Sequence, residues 1–152
     1  MSASRPLRFA ATLLASAALL GAAALPATAA DYPDAYRSAV VIGQVQYDSP
    51  GWDNGTNRSL NAEWVEVRNT SRHAVSLTGY TLSDSDGNRY RFQRTWLRGH
   101  DSILVHTGIG RDNDRDVYQD RRNYVWDNND AATLRDDRGR WIDTRSWGRH
   151  HR

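Results

Sequence analysis

The sequence predicts an all-β sandwich. Short apolar–polar alternations recur along the chain, turn-forming clusters separate them, and no stretch has the periodicity of a long amphipathic helix. The clearest strand is Glu63–Arg68. Glu63, Val65 and Val67 fall on one face, Trp64, Glu66 and Arg68 on the other, and Asn69-Thr70-Ser71 ends the run. Val and Trp suit a pleated surface better than a helix here. Val75 and Leu77 open the next alternation, Gly79 interrupts it, and Tyr80 and Leu82 resume it. Ser83–Asn88 is a turn in which Asp86-Gly87 suits a hairpin that needs positive φ. Beyond it, Tyr90 and Phe92 share a face opposite Arg89 and Arg91. Ile103 with Val105, Ala132 with Leu134, and Trp141-Ile142 supply the later strands, with Asp127–Asp130 a turn among them.

The two ends read differently. Residues 1–30 form a predicted signal helix: Arg5 and Arg8 precede an Ala/Leu-rich core from Phe9 to Leu25. Ala27-Thr28-Ala29 and Thr28-Ala29-Ala30 both satisfy the small-residue cleavage rule, so cleavage is expected near Ala29 or Ala30. A membrane anchor is the alternative for this segment. The expected product is a secreted, extracellular chain. Residues 31–38 are a short linker, 39–148 the sandwich, and 149–152 a disordered basic tail. No later stretch approaches the roughly 18 apolar residues of a membrane span.

Residues 31–152 suffice for one domain, which would bury roughly 65% of its unfolded surface. It has no cysteine, so disulfides are excluded, and its six Trp and seven Tyr are expected to supply much of the packing instead. Every basic residue except His is Arg. Loss of Arg5 and Arg8 with the leader balances the remaining arginines against 18 acidic residues. Net charge therefore gives no support for nucleic acid as partner. A monomer is expected.

Six segments in order resemble bacterial lamin tail domains. Val41–Gly51 resembles their first strand, and Asn61-x-Glu63-Trp64-Val65-Glu66-Val67-x-Asn69 their most recognisable one. Leu77-Thr78-Gly79-Tyr80-Thr81-Leu82-x-Asp84 resembles the next. His106-Thr107-Gly108-x-Gly110, Val125–Asn128 and Ala132–Asp136 complete the match over residues 39–147. The resemblance implies an immunoglobulin-like sandwich that acts as a non-catalytic binding or adaptor module for an unknown protein or extracellular polymer. It supplies no catalytic residues. The chain lacks the heptad rod of a filament-forming lamin and a C-terminal prenylation motif.

The residues themselves leave three chemistries to weigh. A small hydrolase or metal-dependent enzyme is the competing class. Glu63 and Glu66 are the only glutamates and point to opposite strand faces, so they do not pair as glycosidase carboxylates. No Gly-x-Ser-x-Gly elbow occurs, and His73, His100 and His106 are the available bases. No cofactor is implied, except that Asp112, Asp114 and Asp116 are candidate calcium ligands at alternate positions. They depart from an EF-hand loop, with Val117 at its glycine position and Asn123 at its final acid. The third chemistry is a face for DNA or acidic wall polymer: Arg89, Arg91, Arg94 and Arg98 with Trp96, extended by Arg121-Arg122 if the fold brings them close. Trp52 either presents its indole for contact or packs on a strand. The segments Asn54–Thr56, Asn57–Ser59 and Asn69–Ser71 match the glycosylation pattern and read as loops.

Overall fold

The computed structural model describes residues 38–148; the predicted leader, most of the linker and the basic tail lie outside them. The elements are β1 (Val40–Gln46), α1 (Asn57–Asn61), β2 (Trp64–Asn69), β3 (Val75–Ser76), β4 (Thr81–Ser83) and β5 (Arg89–Arg91). Then follow β6 (Trp96–Leu97), β7 (Ser102–His106), β8 (Asp116–Tyr118), β9 (Ala131–Arg135) and β10 (Trp141–Ser146). They build two four-stranded sheets, ordered β1-β2-β7-β8 and β10-β9-β4-β5, and a small β3-β6 pair. All pairings are antiparallel except β7 with β8.

The alternation in β2 decides the layering. Glu63, Val65 and Val67 face inward and are fully buried, while Arg68 is exposed. Ile103 and Val105 of β7, Leu82 of β4, and Ala132 and Leu134 of β9 complete the same core. This makes the fold an immunoglobulin-like β-sandwich. Its packing departs from the aromatic expectation: aliphatic side chains dominate the buried cluster, whose aromatic members are Phe92 and Trp126. Trp52, Trp96 and Trp141 are exposed. β-branched and Leu side chains fill the space between sheets, and the larger rings collect at the margins. There Trp147 stacks on Tyr47 at 5.4 Å and meets Trp126 edge-on at 5.9 Å.

Residues 75–97 form one long bent hairpin. Gly79 sits at the bend with φ of +87°, which interrupts the alternation and separates β3 from β4. The base, β3-β6, therefore stands apart while the tip, β4-β5, joins the second sheet. At the base Asn69 acts as a clip. Its buried amide shares two N–H groups among the carbonyls of His73, Leu97 and Arg98, at 2.7, 3.1 and 3.0 Å. Its Oδ1 accepts from the backbone and hydroxyl of Ser71 at 3.0 and 2.9 Å.

β1 breaks register between Ile42 and Val45, a β-bulge at Gly43-Gln44. The Glu66 carboxylate fills that gap and accepts the Gln44 N–H at 2.8 Å. Burial opposes its charge, but the Gln44 N–H, Ser102 and Arg68 hold Glu66 below the usual carboxylate range. A Cβ on Gly43 would stand 2.1 Å from Glu66 Oε2. Gly43→Ala should therefore force the carboxylate off the bulge and destabilise the fold by about 1–3 kcal/mol, as measured by urea unfolding. A loss below about 0.5 kcal/mol would show that Glu66 moves aside freely.

Three segments differ from the sequence expectation. Asn57–Ser59, read as loop, belong to the helix α1 (Asn57–Asn61), with the Thr56 hydroxyl accepting the Ser59 N–H. Asp116–Tyr118, where no strand is expected, is an edge strand, and Trp96-Leu97 pairs with β3. Runs of two or three residues carry too little alternation to be seen in sequence.

Candidate functional site

Strand register assembles the outer face of the first sheet. Trp64 of β2 pairs with His106 of β7, which pairs with Tyr118 of β8. One step along, Glu66, Leu104 and Asp116 form the next row. The His106 and Tyr118 rings stack at 5.0 Å with 20° between planes. His106 Nδ1 lies 2.7 Å from the Asn61 carbonyl and Nε2 lies 2.9 Å from Asp116 Oδ1. Both partners are acceptors, so both ring nitrogens of His106 are engaged. That engagement makes His106 an organiser of the face, tying β7 to Asn61 and to β8.

The parallel β7-β8 pair rests on a short connection, residues 107–115, where roughly a dozen residues or more are usual. Helix α1 staples it. Asn57 exchanges two hydrogen bonds with Ile109, at 2.9 and 2.7 Å, and Asn61 donates to the same carbonyl at 3.0 Å. Gly108 is needed beneath these amides, since a Cβ there would lie 2.4 Å from Asn61 Oδ1. Gly110 is needed against the Tyr118 ring, with a Cβ 2.4 Å from it. The His106-Thr107-Gly108-x-Gly110 motif thus builds the turn that delivers β8.

Beside this face lies an open groove of about 690 Å³. The segment entering β7 contributes Trp96, Arg98, His100 and Asp101, and the segment entering β8 contributes Asp114 and Arg115. Ser102, Leu104 and Asp116 complete the lining. Trp96 is 66% exposed. The turn at Gly99-His100 is held tightly: His100 has φ of +62° and its N–H donates to Ser71 at 3.0 Å, while a Cβ on Gly99 would meet Arg72 O at 2.3 Å.

The predicted arginine face is divided. Trp96 and Arg98 line the groove, whereas Arg89 and Arg91 are exposed on β5 of the other sheet. Arg94, at φ of +48°, belongs to the turn between them. Of Arg121-Arg122, Arg121 comes close on the β5 side, where it donates to the Arg89 carbonyl at 3.4 Å. Trp52 does not pack: it is 91% exposed on the loop before α1. Asp112, Asp114 and Asp116 do not converge. Asp112 accepts the Tyr118 N–H at 2.9 Å, Asp116 holds His106, and Asp114 faces the groove. Among the described residues, no three His, Asp or Glu side chains gather as a metal-holding group.

At one end of the sandwich, the buried Glu63 carboxylate accepts the N–H groups of Trp126 and Val125 at 2.5 and 3.4 Å. Burial pushes its pKa up to about 7. The Trp126 N–H, the Thr107 hydroxyl and the Val125 N–H oppose that shift, and the Asp53 charge adds to it. The Thr107 hydroxyl is near enough to favour the charged form but falls short of hydrogen-bond geometry. Glu63 therefore pins the Val125-Trp126 segment, and it faces the core while Glu66 lies on the outer face.

The fold defines an immunoglobulin-like module. The chain belongs to the lamin tail domain family, whose model matches residues 33–149. None of the curated proteins matches it. No helix among the described residues is long and apolar enough to cross a membrane.

Proposed function

We propose that this chain is a secreted, non-catalytic binding module that holds its partner on the outer face of the β1-β2-β7-β8 sheet. The observation that carries this is the groove around the exposed Trp96 and Arg98, next to the ordered His106–Tyr118 pair. A catalytic role draws no comparable support. Glu63 and Glu66 lie on opposite sides of the sheet, and His106 is committed to Asn61 and Asp116. The test is retention of the purified chain on cell-wall material, DNA and secreted proteins, at low and high salt. Trp96→Ala with Arg98→Gln should abolish retention while leaving the fold intact by circular dichroism. Undiminished retention would move the site elsewhere.

A second surface, Arg89, Arg91 and Arg121 along β5, supports an alternative in which DNA or an acidic wall polymer is bound. Such binding would fall steeply with salt and vanish in Arg89→Gln/Arg91→Gln. Calcium binding by Asp112, Asp114 and Asp116 would require the carboxylates to leave their present partners and converge; calorimetry with added calcium tests it, and no heat and no thermal shift would remove it.

A further inference from the structure

We infer that the groove takes an uncharged polysaccharide chain, with a sugar ring packed on Trp96 and its hydroxyls shared among Arg98, Arg115, Asp101 and Asp114. This rests on the proposal that the outer face is the binding face, and it names the ligand class. Four observations carry it.

The first is the state of the charged groups. Arg98 and Asp101 come from one segment, Asp114 and Arg115 from another, and all four line one groove. Among the described residues, none of these side chains has a hydrogen-bond or ion-pair partner, although His106–Asp116 and Arg68–Glu66 nearby are paired. Guanidinium groups only donate and carboxylates only accept. A ligand that satisfies both must present donors and acceptors at close spacing. Sugar hydroxyls do both at once, each with one O–H and two lone pairs.

The second is Trp96. A flat ring 66% exposed at the edge of a polar groove leaves much of its apolar surface open. The C–H face of a sugar ring matches it, while the rim hydroxyls reach the polar groups.

The third is charge. Asp101 and Asp114 set two carboxylates against the two guanidiniums of Arg98 and Arg115, with Asp116 already engaged by His106. A polyanion would meet as much repulsion as attraction here, whereas an uncharged chain avoids that cost.

The fourth is the sparseness of strand edge. A bound peptide would gain most by extending a sheet. The strands at the groove offer little: β6 has two residues and β8 three, and the Tyr118 N–H is already taken by Asp112. Side chains dominate the recognition surface. The volume, about 690 Å³, lies in the range of about 300–1,000 Å³ typical of ligand clefts.

The experiment is calorimetry and tryptophan fluorescence of the purified chain against neutral hexasaccharides of glucose, mannose, galactose and N-acetylglucosamine. Heparin and duplex DNA serve as charged arms. The expected result is binding of at least one neutral hexasaccharide with an affinity that changes less than twofold between low and high salt. Trp96→Ala should weaken it at least tenfold. Asp114→Asn, an exposed loop change that should leave folding untouched, should weaken it severalfold, and Arg89→Gln/Arg91→Gln should leave it unchanged. The inference is overturned if no neutral sugar binds, if Trp96→Ala and Asp114→Asn both bind as well as the parent, or if only heparin or DNA binds with steep salt dependence. Retention of a secreted protein that is lost in Trp96→Ala/Arg98→Gln, without sugar binding, would sink the polysaccharide and keep the face. Loss of neither would sink both.

Discussion

Asn69→Leu is expected to destabilise the domain by about 3–4 kcal/mol, a large part of the roughly 5–15 kcal/mol available to a fold of this size. Asn69 is fully buried, and its five hydrogen bonds tie three segments: the end of β2, the 71–73 turn and the Leu97-Arg98 strand. Leucine preserves volume but leaves the Leu97 carbonyl and the Ser71 N–H short of partners. Asn69→Asp separates the two halves of the clip. It keeps an acceptor for Ser71 but places a carboxylate oxygen against the three carbonyls that the amide satisfied, so its loss should be at least as large. Urea unfolding followed by tryptophan fluorescence reads both. If each variant loses less than about 1 kcal/mol, the clip is dispensable.

Glu63 should give the protein an unusual pH profile. Its folded pKa, about 7, lies above the ordinary 4.5, so the folded state binds its proton more tightly than the unfolded state does. Between these values the native state carries more protons, and unfolding free energy falls as pH rises. At about 1.4 kcal/mol per pH unit the loss reaches about 3 kcal/mol by neutrality. Glu66 and Asp136 act in the opposite sense. Burial opposes the charge on each, but hydrogen bonds and arginines win: Arg140 and the Arg138 N–H hold Asp136 below the usual range. Their stabilisation is present above the ordinary carboxylate range and is lost as pH falls through it, outside the Glu63 window. Glu63→Gln isolates the effect. It should remove most of the decline between pH 5 and pH 7.5, while losing one of the hydrogen bonds to Trp126 and Val125. Parallel stability curves for the parent and the variant over that interval would refute the assignment.

The strand grammar carried much of the fold. Val65 and Val67 share a face with Glu63, and the structure buries all three. Gly79 breaks an alternation, and it bends a hairpin at positive φ. Asp86-Gly87 reads as a turn, and β4 and β5 meet across it, with Gly87 at φ of +94°. These features are local: period-two burial and left-handed backbone leave their mark within a few residues. The site left a fainter mark. Trp96 and Arg98 are legible as an aromatic beside a cation, but the same reasoning grouped them with Arg89 and Arg91, which the hairpin bend sends to another sheet. His106 gave no hint that Asn61 and Asp116 engage both its nitrogens. Asp112, Asp114 and Asp116 look alike at alternate positions, yet one caps a strand, one faces the groove and one pairs with a histidine.

By itself, then, the sequence determined an all-β sandwich of the lamin tail type, the inward face of β2, the break at Gly79 and the hairpin turn at Gly87. These follow from side-chain periodicity and backbone sterics, which act between near neighbours. Only the tertiary structure decided that Glu63 would hold the Val125-Trp126 backbone, that Asn69 would clip three segments, and that Trp96, Arg98, Asp101, Asp114 and Arg115 would share one groove. Those partners lie far apart along the chain, and strand register and the β7-β8 crossover bring them together. Register is a property of the paired sheet as a whole, so no single segment encodes it.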